Sequence, residues 1–225
     1  MSVSRRMFLG AACASGSATV AHASGAPAPG TADGGPRESL GMLTDLSLCV
    51  GCRKCEWACD EVNGQAVGGP EAYESKSVFD SVRRTGPAHF TVVNRYALEA
   101  AESPIHVKEQ CMDCLDPACV AACPVKALHQ TADGAVVYNE KLCIGCRYCM
   151  IACPFDVPAY EYADPFTPKV RKCTRCHDKY AETGEAPACA SVCPQEAITF
   201  GPRDKLLTLA RTKIAEQPDR YVDHV

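Results

Sequence analysis

Sixteen of the seventeen cysteines in this 225-residue chain fall into four groups of four. Thiolates bind transition metals and metal clusters, whereas paired thiols in an oxidising compartment form disulfides. The grouping is an internal repeat, so each group is expected to do similar chemistry. The groups are Cys49, Cys52, Cys55 and Cys59; Cys111, Cys114, Cys119 and Cys123; Cys143, Cys146, Cys149 and Cys153; and Cys173, Cys176, Cys189 and Cys193.

The third group, "CIGCRYCMIACP", has the spacing C-x2-C-x2-C-x3-C-P, with which bacterial ferredoxins bind a 4Fe-4S cluster. Three cysteines within seven residues can wrap a loop around one iron–sulfur cube. We expect the fourth cysteine to start a helix that points elsewhere, and the proline to bend the chain away. Where two clusters occur, the fourth cysteine ligates the other cluster, so the groups are expected to work in pairs.

Zinc sites and a disulfide framework are the two alternatives to clusters. Structural zinc usually takes two C-x2-C pairs separated by a loop, but the first and third groups place three cysteines in one short loop. The second group is a variant with four residues before its third cysteine. Disulfide scaffolds do not usually repeat the spacing x2-x2-x3, so we favour iron–sulfur clusters over both alternatives.

The fourth group begins with "CTRCH", the pattern by which a c-type haem is attached with the histidine as axial ligand. A haem here would leave Cys189, Cys193 and one cysteine of the first group without partners. We therefore interpret Cys173 and Cys176 as the first half of a degenerate ferredoxin motif, and His177 as an ordinary surface residue.

Six basic residues flank the cysteines, and their positive charge could offset the negative charge of thiolate-ligated clusters and raise the reduction potentials. Half or more of them are expected to be simply solvated. Asp60 stands where the other three groups have a proline after the last cysteine. The six basic residues are Arg53, Lys54, Arg147, Arg171, Lys172 and Arg175.

The N-terminus, "MSVSRRMFLGAACASGSATVAHA", is typical of a twin-arginine export signal, with an ordinary secretory signal as the alternative. Residues 1–23, which include Cys13, are expected to be removed. We expect a periplasmic protein that is folded before export and is associated with the membrane only through a partner. The formal net charge of −4 and the lack of a basic block argue against nucleic-acid binding.

The elements that must position the cysteines are short. Residues 24–40 are rich in Gly, Pro, Ala and Ser and predict a flexible lead-in. "CPVKAL" and "CPQEAI" each predict the start of a strand, and "DGAVVYNEKLC" predicts a turn and a second strand, so the repeat unit is a hairpin, a cysteine loop and a short helix. The insertion 60–107 contains one strand candidate, "FTVVNRYAL". The segment after Gly201 predicts a surface helix that carries Leu206, Leu207, Leu209, Ala210 and Ile214.

The motifs "CVGCRKCEWAC", "CMDCLDPACVAACP", "CIGCRYCMIACP" and "CTRC" with "CASVCP" resemble the four-cluster iron–sulfur subunits of molybdopterin oxidoreductases and of some nickel–iron hydrogenases. The molybdopterin enzymes include the formate dehydrogenase, dimethyl sulfoxide, polysulfide and nitrate reductase types. The resemblance implies a small, loop-rich α+β fold of two bacterial-ferredoxin-like double-cluster modules. The outer module would comprise 41–103 and 163–201, including the insertion. The inner module would comprise 104–162. A C-terminal helix and tail would follow at 202–225.

The resemblance also implies four 4Fe-4S clusters, each with three ligands from one group and one from the twinned group. In the outer module, Cys49, Cys52, Cys55 and Cys193 would bind one cluster, and Cys173, Cys176, Cys189 and Cys59 the other. In the inner module, the two sets would be Cys111, Cys114, Cys119 and Cys153, and Cys143, Cys146, Cys149 and Cys123.

The function implied by this resemblance is an electron relay between a catalytic oxidoreductase subunit and a quinone-reactive or cytochrome subunit in the membrane. The chain shows no constellation of acid, base or nucleophile, so we expect it to act on no substrate directly. A free-standing soluble polyferredoxin and a structural zinc protein are the alternatives. The long insertion argues against the free carrier, because extra surface elements suit a permanent interface.

Overall fold

The structure, a computed structural model, describes residues 39–97 and 103–221. The predicted export signal and nearly all of the predicted lead-in lie outside the described residues. The described part contains eight strands: β1 (Leu40–Thr44), β2 (Val92–Tyr96), β3 (Ile105–Glu109), β4 (Leu128–Gln130), β5 (Val136–Tyr138), β6 (Ala159–Tyr160), β7 (Val170–Arg171) and β8 (Ile198–Pro202).

Six α-helices lie within the described part of the chain, and most of them are short. They are α1 (Lys54–Val62), α2 (Ala118–Ala121), α3 (Tyr148–Ala152), α4 (His177–Thr183), α5 (Ala188–Ser191) and α6 (Arg203–Glu216). Three 3-10 turns add Pro70–Tyr73, Ser77–Asp80 and Glu140–Leu142. The mixture of short helices, short strands and long connections confirms the predicted small, loop-rich α+β character. None of the helices in the described ranges is long and apolar enough to span a membrane.

The first and fourth cysteine groups are brought together by elements that are far apart in sequence. β1 pairs antiparallel with β8, from Leu40 opposite Pro202 to Thr44 opposite Ile198. Helix α1 packs on α5, so the helices of the two groups are neighbours. These elements share an apolar cluster that contains one buried cysteine from each group. Its buried members are Cys55, Phe79, Val93, Cys189 and Ile198.

The second and third groups are joined in a similar way. β4 and β5 form the antiparallel hairpin predicted from the sequence, with Leu128 opposite Tyr138. Helix α2 packs on α3, next to this hairpin. The buried residues of the associated core are Leu128, Val136, Cys149 and Val170.

Two further hairpins cross positions at which the sequence analysis places module boundaries. β2, the predicted strand of the insertion, pairs with β3, so this hairpin extends across residue 103. β6 pairs with β7 across residue 163, and Val170 of β7 belongs to the core of the second and third groups. Residues 103 and 163 therefore lie in the connections between paired strands.

The predicted C-terminal helix, α6, packs against β1 and β8. Leu206 and Ala210 are buried on its inner face, whereas Leu209 is exposed to solvent. Its last turn is fixed by Lys213, whose Nζ lies 2.8 Å from Oδ2 of the buried Asp45. Burial acts to raise the pKa of Asp45, but hydrogen bonds from Lys213, Ser47 and Tyr221 outweigh it and hold the pKa at about 2.

Candidate functional site

Left-handed residues shape the loops that carry the first three cysteines of the first and third groups. In the first group, Gly51 and Arg53 have φ values of 65° and 64°. In the third group, Gly145 and Arg147 have φ values of 70° and 62°. A left-handed backbone conformation is uncommon for a residue that has a Cβ, yet both loops place an arginine in this conformation immediately before the helix. The two loops therefore repeat one structure.

The prediction that the fourth cysteine starts a helix is wrong, because a helical turn instead separates the third cysteine from the fourth. Cys149 lies in α3 and Cys153 is its C-cap. The proline after the last cysteine of groups two to four disfavours helical geometry at that cysteine and ends the turn. In the first group, Asp60 replaces this proline, and α1 continues through Cys59 to Val62.

One cavity is lined by three cysteines of the first group and the last cysteine of the fourth. These four are Cys49, Cys52, Cys55 and Cys193. Apolar side chains, among them Val93 and Ile198, complete the wall. The structure therefore assembles in one cavity the four thiols that the sequence analysis assigns to one cluster.

A second cavity repeats this composition with the second and third groups. Its cysteines are Cys111, Cys114, Cys119 and Cys153. Pro117, Val136, Phe155 and Val157 line the apolar part of the wall. A cavity lined by four thiols and by apolar side chains fits a thiolate-ligated iron–sulfur cluster, because it offers both the ligand type and partial shielding from solvent.

The sulfurs of the two remaining sets are also neighbours. Burial raises the pKa of the Cys149 thiol to about 11, and the nearby sulfurs of Cys119, Cys143, Cys123 and Cys146 contribute to the increase. The Cys149 sulfur therefore lies near the sulfurs of Cys123, Cys143 and Cys146.

In the fourth set, burial raises the pKa of Cys59 to about 12, with Cys189 and Cys176 among the sulfurs that add to the increase. Cys173 is buried beside Cys59, and burial is again the largest cause of its raised pKa. None of these sixteen cysteines forms a disulfide within the described residues.

Comparison with known proteins identifies the family to which the chain belongs. Residues 104–203 match the family described as a 4Fe-4S dicluster domain. The protein is 34% identical over 183 residues to the B subunit of the anaerobic dimethyl sulfoxide reductase of Haemophilus influenzae, a match that covers 80% of this protein and 82% of that subunit. The chain belongs to this family of iron–sulfur electron-transfer subunits.

Other relatives of this iron–sulfur subunit are longer. It is 38% identical over 196 residues to the hydrogenase-2 operon protein HybA of Escherichia coli, and the match covers 80% of the subunit and 57% of HybA. It is 36% identical over 203 residues to the formate dehydrogenase-O iron–sulfur subunit of Escherichia coli, with 88% and 64% covered. The chain thus spans about three fifths of the length of these two relatives.

The structure separates the six basic residues of the iron–sulfur subunit into different roles. Three of them are paired with carboxylates: Arg53 with Glu56, Arg171 with Glu161, and Arg175 with Asp133. Lys54 is exposed, and the guanidinium of Arg147 lies 5.6 Å from the ring centre of Tyr160. The backbone amide of Arg175 donates to the Sγ of Cys173, and Lys172 is the one of the six whose side chain contacts a cysteine sulfur, with 3.4 Å between its Nζ and the Sγ of Cys111.

Sequence reasoning missed a second lysine near the cysteines, Lys108 on β3, which is partly buried. Burial acts to lower its pKa, but the neighbouring sulfurs outweigh it, first Cys189 and Cys55 and then Cys173 and Cys59. Lys108 precedes the second group by three residues, which gave no signal in the sequence. It reaches the first and fourth groups only because β3 pairs with β2.

Two buried carboxylates that sequence reasoning did not assign connect the insertion to α1. Glu56 is only 1% exposed and accepts hydrogen bonds from Arg53, Arg83 and the backbone amide of Val93. Asp60 is fully buried, with its Oδ2 2.8 Å from the hydroxyl of Tyr73 and 2.7 Å from Nδ1 of His89. Hydrogen bonds and ion pairs therefore join the insertion to α1, the helix that carries two cysteines of the first group.

The prediction that His177 is an ordinary surface residue is wrong. Its side chain is 23% exposed, and its Nε2 lies 3.4 Å from Oδ1 of Asp133. The ring also packs edge-on against Tyr180, with 5.3 Å between the ring centres. His177 is the first residue of α4, and these contacts help to hold that helix beside the cysteines of the fourth group.

Replacement of Gly51 by alanine is expected to destabilise the subunit more than the same change at Gly145. Both glycines are left-handed, a conformation that costs an alanine about 1–2 kcal/mol. A Cβ at Gly51 would also overlap the imidazole ring of His106, whereas one at Gly145 would lie 3.0 Å from the hydroxyl oxygen of Tyr160. Urea denaturation followed by circular dichroism measures the difference, and equal midpoints for the two variants would contradict the expected clash.

Proposed function

We propose that the chain is a periplasmic subunit that relays single electrons through four 4Fe-4S clusters. The electrons would pass between a catalytic subunit, of the molybdopterin or hydrogenase kind, and a quinone- or cytochrome-linked partner. One observation carries the proposal: each of two cavities is lined by three cysteines of one group and the last cysteine of another. This is the exchange of the fourth ligand that two-cluster ferredoxins use.

The proposed ligand sets follow the cysteines that lie near one another. Two sets line the cavities described above, and the neighbouring sulfurs around Cys149 and Cys59 support the other two. We assign the four sets as Cys49, Cys52, Cys55 and Cys193; Cys59, Cys173, Cys176 and Cys189; Cys111, Cys114, Cys119 and Cys153; and Cys123, Cys143, Cys146 and Cys149.

Electrostatic interactions between sulfurs of different sets support a linear order of the four clusters. Cys149 of one terminal set neighbours Cys119 of the next. Cys111 of that second set neighbours Cys173 of the third. Cys189 of the third set neighbours Cys55 of the last. An electron could therefore enter at one end of the row and leave at the other.

When bound, a 4Fe-4S cluster supplies a one-electron couple whose potential depends on charge, hydrogen bonds and solvent exposure. The residues of this chain determine that environment. The cysteine sulfurs hold iron, and the apolar walls formed by residues such as Val93 and Val136 limit the access of water. A row of such sites divides a two-electron reaction at a partner's active site into single-electron steps.

The pairing of groups also supports two ferredoxin-like modules. The outer module would combine the first and fourth groups, which β1–β8 and α1–α5 hold together. The inner module would combine the second and third groups, which β4–β5 and α2–α3 hold together. The segment from the second group to the fourth lies within the matched 4Fe-4S dicluster domain.

Exposed apolar side chains around the third group support a partner at the inner end of the row. Ile151 on α3 is 82% exposed, and Ile144, Tyr148 and Phe155 are more than half exposed. Cys146, in the same loop, is itself exposed. Apolar patches of this kind mark protein interfaces, and here one surrounds the thiol nearest to solvent.

Iron and acid-labile sulfide analysis of the purified chain tests the cofactors. We expect about sixteen iron and sixteen sulfide per chain, because four clusters of four irons each need the sixteen cysteines. A pyridine haemochrome assay of the same sample is expected to show no c-type haem band at "CTRCH". Zinc with little sulfide, or a haem band, would refute the cluster assignment.

Purification of an affinity-tagged chain from the periplasmic fraction of the native cell tests the location and the partners. The paired Arg5 and Arg6 of the predicted export signal support this location. We expect a catalytic oxidoreductase subunit to co-purify in a fixed ratio with the tagged chain. A monomeric chain that carries all its clusters and no partner would instead support the free-standing polyferredoxin.

A further inference from the structure

Lys172 lies where the second and fourth cysteine groups meet. Its side chain is only 4% exposed, although it is a lysine. Its Nζ donates hydrogen bonds to the Sγ of Cys111, at 3.4 Å, and to the carbonyl oxygens of Cys173, at 2.8 Å, and of Val136. Cys111 and Cys173 belong to different proposed ligand sets, so one ammonium group contacts both sides of the junction between two clusters.

The charge of Lys172 is not cancelled by a close ion pair. Within the described ranges, no carboxylate oxygen is paired with its Nζ within 4.0 Å. The carboxylate of Asp113 acts on Lys172 from a greater distance; this group is partly buried and accepts a hydrogen bond from the amide of Val136 at 2.8 Å. Asp113 therefore reduces the field of Lys172 at the junction, but the ammonium still contacts the sulfur of Cys111 directly.

We propose that the fixed positive charge of Lys172 raises the reduction potentials of the two clusters on either side of the junction. These are the clusters held by the Cys111 set and by the Cys173 set, so this inference rests on the proposed function. An electron added to a cluster increases its negative charge, and a buried cation at this distance stabilises that state more than it would in water. The same charge acts on both clusters, so it raises both potentials and changes the difference between them less.

Redox titration of the purified, cluster-loaded protein, followed by electron paramagnetic resonance, tests this inference. Two neutral variants, Lys172→Met and Lys172→Gln, remove the charge, and the glutamine keeps a donor for the carbonyl oxygens. In each, we expect two of the four midpoint potentials to become more negative by about 59 mV, a tenfold change in the one-electron equilibrium. The potentials of the other two clusters are expected to change much less.

Two further variants serve as controls. Lys172→Arg keeps the charge and is expected to leave all four potentials close to the original values. Lys54→Met removes a lysine that also precedes a cysteine but is exposed, and solvent screening is expected to leave the potentials unchanged.

Several outcomes would overturn the inference. One is a full complement of iron with four unchanged potentials in both neutral variants. Another is the loss of clusters from both neutral variants while Lys172→Arg keeps them, which would assign Lys172 a structural role. If the unmutated protein holds no iron–sulfur clusters at all, the proposed function itself is wrong, and the iron analysis separates that result from the others.

Discussion

Replacement of Cys153 by serine is expected to remove the same cluster as replacement of Cys111, although the two cysteines belong to different groups. Both line the cavity that also contains Cys114 and Cys119. Loss of one thiolate should lower the iron content by between one and about four of the expected sixteen atoms, according to whether a three-iron cluster or none remains. Iron analysis and electron paramagnetic resonance spectra of the two variants measure the effect.

The matched control for this prediction is Cys143→Ser in the same group as Cys153. Cys143 neighbours Cys149 and is assigned to a different cluster, so its loss should change a different spectral component. If Cys153→Ser resembled Cys143→Ser instead of Cys111→Ser, each group would bind its own cluster. The exchange of fourth ligands between groups would then be wrong.

Replacement of Glu56 by alanine is expected to destabilise the protein by about 3–5 kcal/mol, since it leaves two buried or partly buried cations without their counter-ion. The carboxylate lies 2.7 Å from Nη2 of Arg53 and 2.5 Å from Nη2 of Arg83. Burial acts to raise the pKa of Glu56, but hydrogen bonds from Arg83, Arg53 and the amide of Val93 outweigh it, so the pKa lies below its ordinary value. The group is therefore an anion whose loss uncovers positive charge.

Urea denaturation followed by circular dichroism measures this change. Glu61→Ala is the matched control, because Glu61 lies on the same helix but is exposed, and its replacement is expected to change the free energy of unfolding by no more than about 0.5 kcal/mol. Similar midpoints for the two variants would show that the network around Glu56 contributes little. Iron analysis of both variants then shows whether the bonding of the insertion to α1 is needed to keep the first group loaded.

The spacing of the cysteines was enough to predict the kind of site. Four segments such as "CIGCRYCMIACP" show the type of ligand, the length of the loop and the repeated spacing. All three are local properties of the chain. Local patterns also predicted the hairpin of β4 and β5, the strand β2 and the helix α6. They failed at the fourth cysteine of each group, because in the groups with a following proline the helical turn ends at that cysteine and does not begin there.

Buried charges were beyond the reach of these patterns. Lys54 and Lys172 both precede a cysteine, and nothing local distinguishes them, yet one is exposed and the other contacts the sulfur of Cys111. Lys108 and Glu56 gave no signal at all, because their partners come from strands and loops that are distant in sequence. The energy of such groups depends on which opposite charges surround them after burial.

Cysteine identity and spacing therefore predict the kind of site and the number of cysteine groups, since both are properties of short segments of the chain. Tertiary structure decided which groups share a cavity, through the pairing of β1 with β8 and the packing of α1 on α5. The tertiary structure also places the ammonium group of Lys172 between the second and fourth cysteine groups. The physical reason is that cavities and electrostatic fields are sums over neighbours in space, and these neighbours come from segments that only the folded chain brings together.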